Sequence, residues 1–280
     1  MISLREGLQL STGGVVCFVG AGGKTSLMFR LARELSAGGD SVLTTTTTRI
    51  RMPTRDQSEE VVISPLAEEI ISRAGRFRTK NFHITAVSEK VSSQNKLKGY
   101  APEFIDGLWK RKLFRWILVE ADGAAGRSLK APAMHEPVVP SCAKWVIGIV
   151  GLDAAGKTLD EDWVFRSGIF SQLTGLALGQ TVSPAAIAAS LTHTDGIFKG
   201  SPGAAHQYLF LNKAESAVEI QAGREVAKII RETIPVRIKR VLIGSILKNP
   251  PVMEYYEIQV GKRQEKGTKA GGRGSGVKYQ

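Results

Sequence analysis

Short apolar runs recur along the chain in a pattern typical of strands that are buried on both faces. Six runs are rich in β-branched or aromatic residues and do not alternate with polar ones; they cover residues 15–19, 41–45, 116–120, 145–150, 207–211 and 241–246. Strands of a parallel sheet have such continuous apolar runs because helices cover both faces of the sheet. The pattern therefore predicts an α/β fold with a mostly parallel sheet.

A helix is predicted between the first two runs. Five apolar residues there share one helical face, namely Leu27, Met28, Leu31, Ala32 and Leu35. Gly38 and Gly39 follow and predict the end of the helix. Strand, helix and strand at this spacing indicate a βαβ unit with a right-handed crossover.

Two segments differ from this alternating pattern. Residues 152–203 contain helical stretches at 163–178 and 184–191 followed by turn residues, which predicts a mostly helical insertion on one edge of the sheet. Residues 258–280 hold six Lys or Arg, one Glu and six Gly without a periodic apolar face, which predicts a disordered basic tail. The chain is therefore divided into a domain of residues 1–257, with its insertion, and a tail of residues 258–280.

The first apolar run leads directly into the glycine loop, residues 20–26, which reads Gly20-Ala21-Gly22-Gly23-Lys24-Thr25-Ser26. Glycines let backbone N–H groups turn toward phosphate oxygens, and the helix N-terminus adds its dipole. The lysine can reach the β- and γ-phosphates, and the threonine hydroxyl can ligate Mg²⁺. The loop has the short form G-x-x-G-K-T, and it predicts a P-loop NTPase-like three-layer fold; the alternative is a turn that only closes the strand–helix unit.

A metal site is predicted at the ends of two other strands. Glu120 and Asp122 end the third run two residues apart, so they lie on the same side of the extended chain. Either carboxylate can bind Mg²⁺ together with Thr25, and Thr47 is the candidate from the threonines that end the second run. Arg127, in the following glycine-rich loop, or Lys130 is expected to meet charge near the γ-phosphate. The alternative is an acidic strand end that caps a turn, beside threonines that merely suit a strand.

An N-K-x-E segment follows the fifth run and contains Asn212, Lys213 and Glu215. In many GTPases an N-K-x-D segment reads guanine, because the acid accepts two hydrogen bonds from the base while the lysine packs over the ring. Glutamate lengthens that arm by one methylene. The segment favours GTP over ATP, with an ordinary polar loop as the alternative.

Composition limits the classes of partner. The chain has 280 residues with 38 Lys and Arg against 26 Asp and Glu, a net charge of +12 that admits nucleic acid, anionic lipid or a phosphorylated ligand. Basic residues interleave with aromatic ones only at 109–116, so nucleic acid is not the favoured partner. Cys17 and Cys142 are too few for a disulfide scaffold or a zinc ribbon, and the four histidines are expected on the surface or in loops.

The cellular location is also constrained. The opening MISLREGLQL is too short and too charged for a signal sequence. No apolar run approaches the roughly 20 residues that span a bilayer. We therefore expect a cytoplasmic protein with no membrane partner.

In combination, these motifs resemble those of the YqeC family. The resemblance rests on residues 18–26, 43–50, 118–127, 130–132 and 135–137, and it spans about residues 15–246. It implies a P-loop NTPase fold and an accessory role in selenium cofactor biosynthesis for selenium-dependent molybdenum hydroxylases. A molybdenum hydroxylase or a selenium-cofactor protein is then the implied client, but no established reaction is implied. The family pattern favours Asp where this chain has Glu215.

The residues and the resemblance together predict Mg²⁺-dependent binding and slow hydrolysis of GTP or ATP. Lys24 and the loop amides would balance charge on the γ-phosphate, while Asp122 or Glu120 positions water or metal. Two alternatives remain open. One is an ATP-dependent kinase or ligase acting on a small acid, since the short loop also resembles that of Mur-type ligases. The other is a nucleic-acid-binding protein that uses the basic tail.

Overall fold

The computed structural model describes residues 1–77, 81–91, 96–233 and 237–258. The strands in these ranges are β1 (Gly14–Gly20), β2 (Val42–Thr46), β3 (Arg49–Arg51), β4 (Glu60–Ile63), β5 (His83–Val87), β6 (Glu89–Val91), β7 (Lys96–Lys98), β8 (Trp116–Glu120), β9 (Leu129–Lys130), β10 (Ala143–Gly151), β11 (Val164–Phe165), β12 (His206–Asn212), β13 (Ile238–Gly244) and β14 (Val252–Glu257). The helices are α1 (Leu4–Gly7), α2 (Lys24–Ala37), α3 (Ala67–Ala74), α4 (Pro102–Lys110), α5 (Ser167–Thr174), α6 (Pro184–Thr192) and α7 (Ala217–Glu232).

Nine of the described strands form one sheet in the order β14-β13-β12-β10-β1-β8-β2-β5-β4. Neighbouring strands in it are parallel, except that β14 runs antiparallel to β13 at one edge. The six predicted runs correspond to β1, β2, β8, β10, β12 and β13. The α/β fold with a mostly parallel sheet is thus confirmed, and the carboxyl ends of its strands meet at one edge, where ligands bind in such folds.

The three layers follow from alternation along the central strands. Val15, Cys17 and Val19 of β1 point into a core that α3, α4, α5, α6 and α7 cover. Val16 and Phe18 point to the other face and pack with α1 and α2. Since both faces of the sheet are apolar and covered by helices, the architecture is consistent with a P-loop NTPase-like fold.

Helix α2 buries all five residues of its predicted apolar face. It begins at Lys24 and ends before Gly38, as its pattern predicts. The strands that it connects, β1 and β2, are parallel but not adjacent, because β8 lies between them. This arrangement places the carboxylates at the end of β8 beside the glycine loop at the end of β1.

The segment 152–203 does not lie on an edge of the sheet, so that expectation is wrong. It connects β10 to β12, which are neighbours inside the sheet. Ile197 and Phe198 cover Gly148 of β10 so closely that a Cβ atom at this glycine would lie 2.7 Å from each side chain. The segment is therefore a helical crossover that packs on one face, and its helices α5 and α6 supply the predicted helical content.

Two further expectations concern the basic tail and membrane spans. Residues 259–280, nearly all of the predicted tail, lie outside the described residues, while Ile258 is buried and its N–H donates to the carbonyl of Lys239 at 2.9 Å. The folded unit thus includes Ile258. None of the helices in the described ranges combines the length and the apolar character needed to cross a membrane.

Strand β5 and its histidine were not predicted. His83 is buried rather than exposed, and its Nε2 lies 2.9 Å from the Thr44 hydroxyl. Burial lowers the pKa of His83 to about 4. Because buried polar side chains in β5 are satisfied by hydroxyl partners on neighbouring elements, the strand does not read as an apolar run.

Candidate functional site

The glycine loop leaves the carboxyl end of β1 and turns directly into α2. Its three glycines, Gly20, Gly22 and Gly23, have φ angles of 94°, 79° and 125°. A Cβ atom on Gly22 would lie only 2.3 Å from the backbone nitrogen of Gly151. The conformation therefore requires glycine at this position, because an L side chain would clash with β10 and strain the backbone.

Backbone amides in the second half of the loop are available to a ligand. Ala21 N donates to the Ile149 carbonyl and Gly22 N to the Arg127 carbonyl, both at 2.9 Å, which anchors the first half. Within the described ranges, the amides of residues 23–26, which include Ser26, donate no hydrogen bond. Unpaired amides at a helix N-terminus carry partial positive charge and form a site for an anion.

Lys24 belongs to this loop and is only 4% exposed. Its Nζ donates to the Gly20 carbonyl at 2.6 Å and lies 3.1 Å from Asp122 Oδ1 and 3.9 Å from Glu120 Oε1. The ammonium group thus balances two carboxylates beside the glycine loop. Its flexible stem allows Nζ to move to a phosphate oxygen without a change in the backbone.

Glu120 and Thr25 form an oxygen pair at the floor of the site. The Thr25 hydroxyl donates to Glu120 Oε2 at 2.5 Å. Burial raises the pKa of Glu120, and Lys24 and Thr25 oppose that rise. A hydroxyl and a carboxylate suit Mg²⁺, which prefers a few protein oxygens completed by phosphates and water. The described residues contain no group of three or more His, Cys, Asp or Glu able to hold a metal.

Asp122 lies deeper than Glu120 and is fully buried. Its Oδ2 accepts a hydrogen bond from Gly20 N at 3.0 Å and lies 3.0 Å from Lys130 Nζ. Its Oδ1 accepts no hydrogen bond within the described part of the chain, although Lys24 Nζ is 3.1 Å away. The geometry therefore places Asp122 as the group that orients the loop and both lysines, while Glu120 faces the open site.

A buried ionic chain extends from Asp122 into the crossover segment. Lys130 Nζ lies 2.7 Å from Glu136 Oε2, and Arg166 Nη1 lies 2.6 Å from the same oxygen. Although burial raises the pKa of Glu136, hydrogen bonds from Arg166 and Lys130 outweigh it and lower the pKa to about 2. Arg166 was not among the predicted site residues, because nothing in the local sequence links it to a carboxylate 30 positions away.

We expect Glu136→Gln to lower the free energy of unfolding at neutral pH by about 3 kcal/mol, since it leaves two cations with less buried counter-charge. The pKa of Glu136 is lower in the folded protein than its ordinary value of 4.5, so its stabilising effect is present above that pH. The effect is lost as the pH falls from 4.5 toward 2. Urea unfolding of both proteins between about pH 7 and pH 3 should show the difference shrinking with acid.

The exposed Glu225 on α7 provides the control, because Glu225→Gln removes the same charge outside this chain of contacts. A difference between wild type and Glu136→Gln that stays constant over this pH range would contradict the assigned ionic role.

Arg127 and Thr47 lie at the groove but are engaged elsewhere. Arg127 Nε donates to the Glu161 carbonyl at 2.5 Å, so its side chain points toward the crossover segment. The Thr47 hydroxyl donates to the Val138 carbonyl at 2.8 Å. Their roles toward a γ-phosphate and a metal remain predictions.

The N-K-x-E segment ends β12 and is tied to the glycine loop. Asn212 Nδ2 donates to the Gly22 carbonyl at 2.7 Å, and Asn212 Oδ1 accepts from Ile246 N at 3.1 Å. Lys213 Nζ lies 2.7 Å from Asp153 Oδ2 and faces the groove. Glu215 is exposed and accepts from the Ser245 hydroxyl at 3.1 Å, outside the residues that line the groove. The structure thus brings Asn212 and Lys213 to the site and leaves Glu215 beside it.

Much of the glycine loop and several of these side chains line one groove of about 1540 Å³ along the carboxyl edge of the sheet. Its wall includes most of the glycine loop, Thr47, Glu120, Arg127, Arg166 and Lys213. His135 also lines it and is exposed, as predicted for this histidine. The volume exceeds the roughly 300–1,000 Å³ of most small-molecule pockets, so the groove has room for more than one ligand.

Comparison with known proteins identifies the relatives of this chain. A family model described as YqeC protein matches residues 16–168. A protein of Escherichia coli (strain K12), described as uncharacterized protein YqeC, is 32% identical over 238 residues, which cover 85% of this chain and 90% of the relative. These matches confirm the resemblance inferred from the motifs, and the chain belongs to the YqeC family.

Proposed function

We propose that this protein binds a nucleoside triphosphate with Mg²⁺ at the glycine loop and hydrolyses it slowly. The observation that carries the proposal is the set of amides at residues 23–26 that donate no hydrogen bond within the described ranges, in the same loop as the buried ammonium group of Lys24. Such a loop suits a chain of phosphates, because free backbone N–H groups at a helix N-terminus and one flexible cation belong to the same short segment.

Different residues would bind the phosphates, hold the metal and position the loop during hydrolysis. The loop amides and Lys24 would hold the β- and γ-phosphates and balance the negative charge that spreads over the γ-phosphate oxygens. Thr25 and Glu120 would hold Mg²⁺, which supplies a Lewis acid for the phosphate oxygens when it is bound. Asp122 would keep Gly20 and the two lysines in place, since its carboxylate contacts all three.

The test is a profile of nucleotides bound and hydrolysed by the purified protein, with and without Mg²⁺. We expect micromolar-range binding that depends on the γ-phosphate and slow basal turnover. A protein that neither binds nor hydrolyses any triphosphate in that profile would contradict the proposal.

Guanine preference is the expected base choice. A carboxylate at Glu215 can accept two hydrogen bonds from guanine, whereas adenine offers one donor. Once a bound base covers this exposed side chain, adenine would leave it partly unpaired at a cost of ~1–3 kcal/mol. We expect GTP to displace a fluorescent nucleotide about ten- to a hundredfold better than ATP. Glu215→Asp should sharpen this ratio and Glu215→Ala should erase it.

The matched control for base choice is Glu225→Ala, which removes an exposed carboxylate on α7. It should leave the GTP to ATP ratio unchanged. Equal or better displacement by ATP in the wild type would mean that Glu215 is a loop residue and that the protein is an ATPase.

We further propose that the nucleotide state of the protein controls its binding to a client protein. The resemblance to the YqeC family implies an accessory role in selenium cofactor biosynthesis, with a selenium-dependent molybdenum hydroxylase as client, and the proposal extends to that role. Such a switch should show basal hydrolysis and should bind the client in only one nucleotide state. Pull-down with GTP, with GDP and without nucleotide tests this, and equal capture in all three states would contradict it.

A kinase or ligase is the second candidate, and the size of the groove favours it. A volume of about 1540 Å³ leaves space for an acceptor next to the triphosphate. Transfer to an acceptor predicts little turnover until that acceptor is added, whereas a switch predicts basal turnover. Turnover of purified protein without further substrate therefore separates the two.

A further inference from the structure

The groove contains a second charged surface away from the glycine loop. In the described part of the chain, β3, β7 and β6 form a small sheet in that order. Ile50 lies opposite Leu97 in the antiparallel pairing of β3 and β7, and both are buried in a small apolar cluster with Val87. The residues on either side of this pair point to the other face.

That other face carries four cations, which we call the cationic face: Arg49, Arg51, Lys96 and Lys98. Arg49 is opposite Lys98, and Arg51 is opposite Lys96. Directly opposite side chains have Cβ atoms about 4.5–5.5 Å apart, and like charges in such pairs are destabilising. Two successive pairs of like charge therefore lower the stability of the small sheet. Such an unfavourable cluster of cations is typical of a surface that binds an anion.

Acidic neighbours offset only part of this charge. Lys98 Nζ lies 2.7 Å from Glu89 Oε1 on β6. Among ion pairs between described residues, none involves Arg49, Arg51 or Lys96. The face therefore retains a surplus of positive charge directed toward the groove, since all four cations line it.

The small sheet is fixed relative to the glycine loop. Gly99 N donates to the Thr48 carbonyl and Tyr100 N to the Thr46 carbonyl, both at 2.9 Å. A Cβ atom on Gly99 would lie 1.7 Å from the Thr46 carbonyl oxygen, so the two segments touch at the backbone. The cationic face is thus held at the carboxyl end of β2, which pairs with the Glu120 strand.

We propose that the cationic face binds the phosphate group of a second, small substrate, a phosphate monoester, in the same groove as the triphosphate. Arginine forks match phosphate oxygens, and a dianion offsets most of the surplus charge of the face. The identity of the neighbouring ligand rests on the proposed function, but the phosphate site follows from the cationic face itself.

A small molecule fits the site better than a nucleic acid. Tyr100, which lines this end of the groove, is buried and stacks on Phe104 with ring centroids 4.1 Å apart. It is therefore not available to stack a base, as sites for single-stranded nucleic acid require.

The experiment is calorimetric titration of ribose 5-phosphate into the full chain, both free and saturated with a non-hydrolysable GTP analogue and Mg²⁺. The test variant combines Arg51→Gln with Lys96→Gln, which removes one cross-strand pair of cations. The control combines Lys228→Gln with Arg231→Gln, two exposed cations on α7 outside the groove. We expect the test variant to bind ribose 5-phosphate at least tenfold more weakly than wild type and control. Its affinity for fluorescent GTP should stay within twofold, and its circular dichroism should be unchanged.

Several results would overturn the phosphate site. One is wild-type protein that does not bind ribose 5-phosphate, and another is a test variant that binds it as wild type does. A tenfold loss of GTP affinity in the test variant would assign the cations to the triphosphate instead. Binding of a 20-nucleotide RNA that exceeds ribose 5-phosphate binding and is lost in the test variant would assign them to nucleic acid. If wild type binds no GTP but the test variant still loses ribose 5-phosphate, the proposed function fails and the phosphate site is supported.

Discussion

Lys24→Ala is expected to weaken binding of GTP with Mg²⁺ at least a hundredfold and to reduce hydrolysis to background. The substitution removes the buried ammonium group of the glycine loop, while the glycine backbone that shapes the loop stays the same. A hundredfold loss corresponds to about 2.8 kcal/mol, a reasonable size for one charge-assisted contact to a phosphate in a partly desolvated site. Titration with a fluorescent GTP analogue and a phosphate-release assay measure the two effects.

The fold should survive this substitution. Asp122 keeps its hydrogen bond from Gly20 N and its ion pair with Lys130, so only part of its counter-charge is lost. Thermal unfolding should show a moderate loss of stability and a cooperative transition. The control is Lys144→Ala, an exposed lysine near the amino end of β10, which should bind GTP as wild type does. GTP affinity within twofold of wild type in a folded Lys24→Ala protein would remove the glycine loop as a phosphate site.

The features that sequence predicts best here are those specified by neighbouring residues. β1, the glycine loop and α2 follow one another without a break, so apolar runs, glycines and helical periodicity indicate the whole unit. The strand ends at Glu120 and Asn212 are predictable for the same reason, because a buried apolar run stops at a polar residue. Parallel pairing then brings these ends to one edge of the sheet.

Features set by distant contacts are less visible in the sequence. His83 and Thr85 of β5 are polar. They can be buried because hydroxyl groups on other elements form hydrogen bonds with them, and the local sequence does not show these partners. The position of the crossover segment depends on the strand order, which apolar runs do not specify. Arg166, which directly precedes α5, contacts Glu136 only in the folded protein, so its part in the site is not evident from the sequence.

The roles of the two strand-end carboxylates likewise emerge from three-dimensional contacts. Two residues apart, Glu120 and Asp122 are equivalent as candidate Mg²⁺ ligands in the sequence. In the structure, Glu120 lines the groove and contacts the Thr25 hydroxyl, whereas Asp122 is buried between a loop amide and two lysines. The two side chains should therefore respond differently to removal of their charge.

Glu120→Gln should raise the Mg²⁺ concentration needed for half-maximal turnover at least tenfold and lower the maximal rate, because an amide is a weaker ligand for Mg²⁺ than a carboxylate. Nucleotide affinity measured without Mg²⁺ should change little, since the loop amides and Lys24 remain.

Asp122→Asn should instead leave two buried lysines short of counter-charge, which lowers the free energy of unfolding by about 3 kcal/mol. Its Mg²⁺ requirement should stay within about twofold of wild type, while turnover falls with the displaced loop. Phosphate release measured across a Mg²⁺ titration, with urea unfolding of the same samples, separates the two patterns. If both variants titrate with Mg²⁺ as wild type does, the metal is held elsewhere; if Asp122→Asn shows the larger shift, Asp122 rather than Glu120 is its ligand.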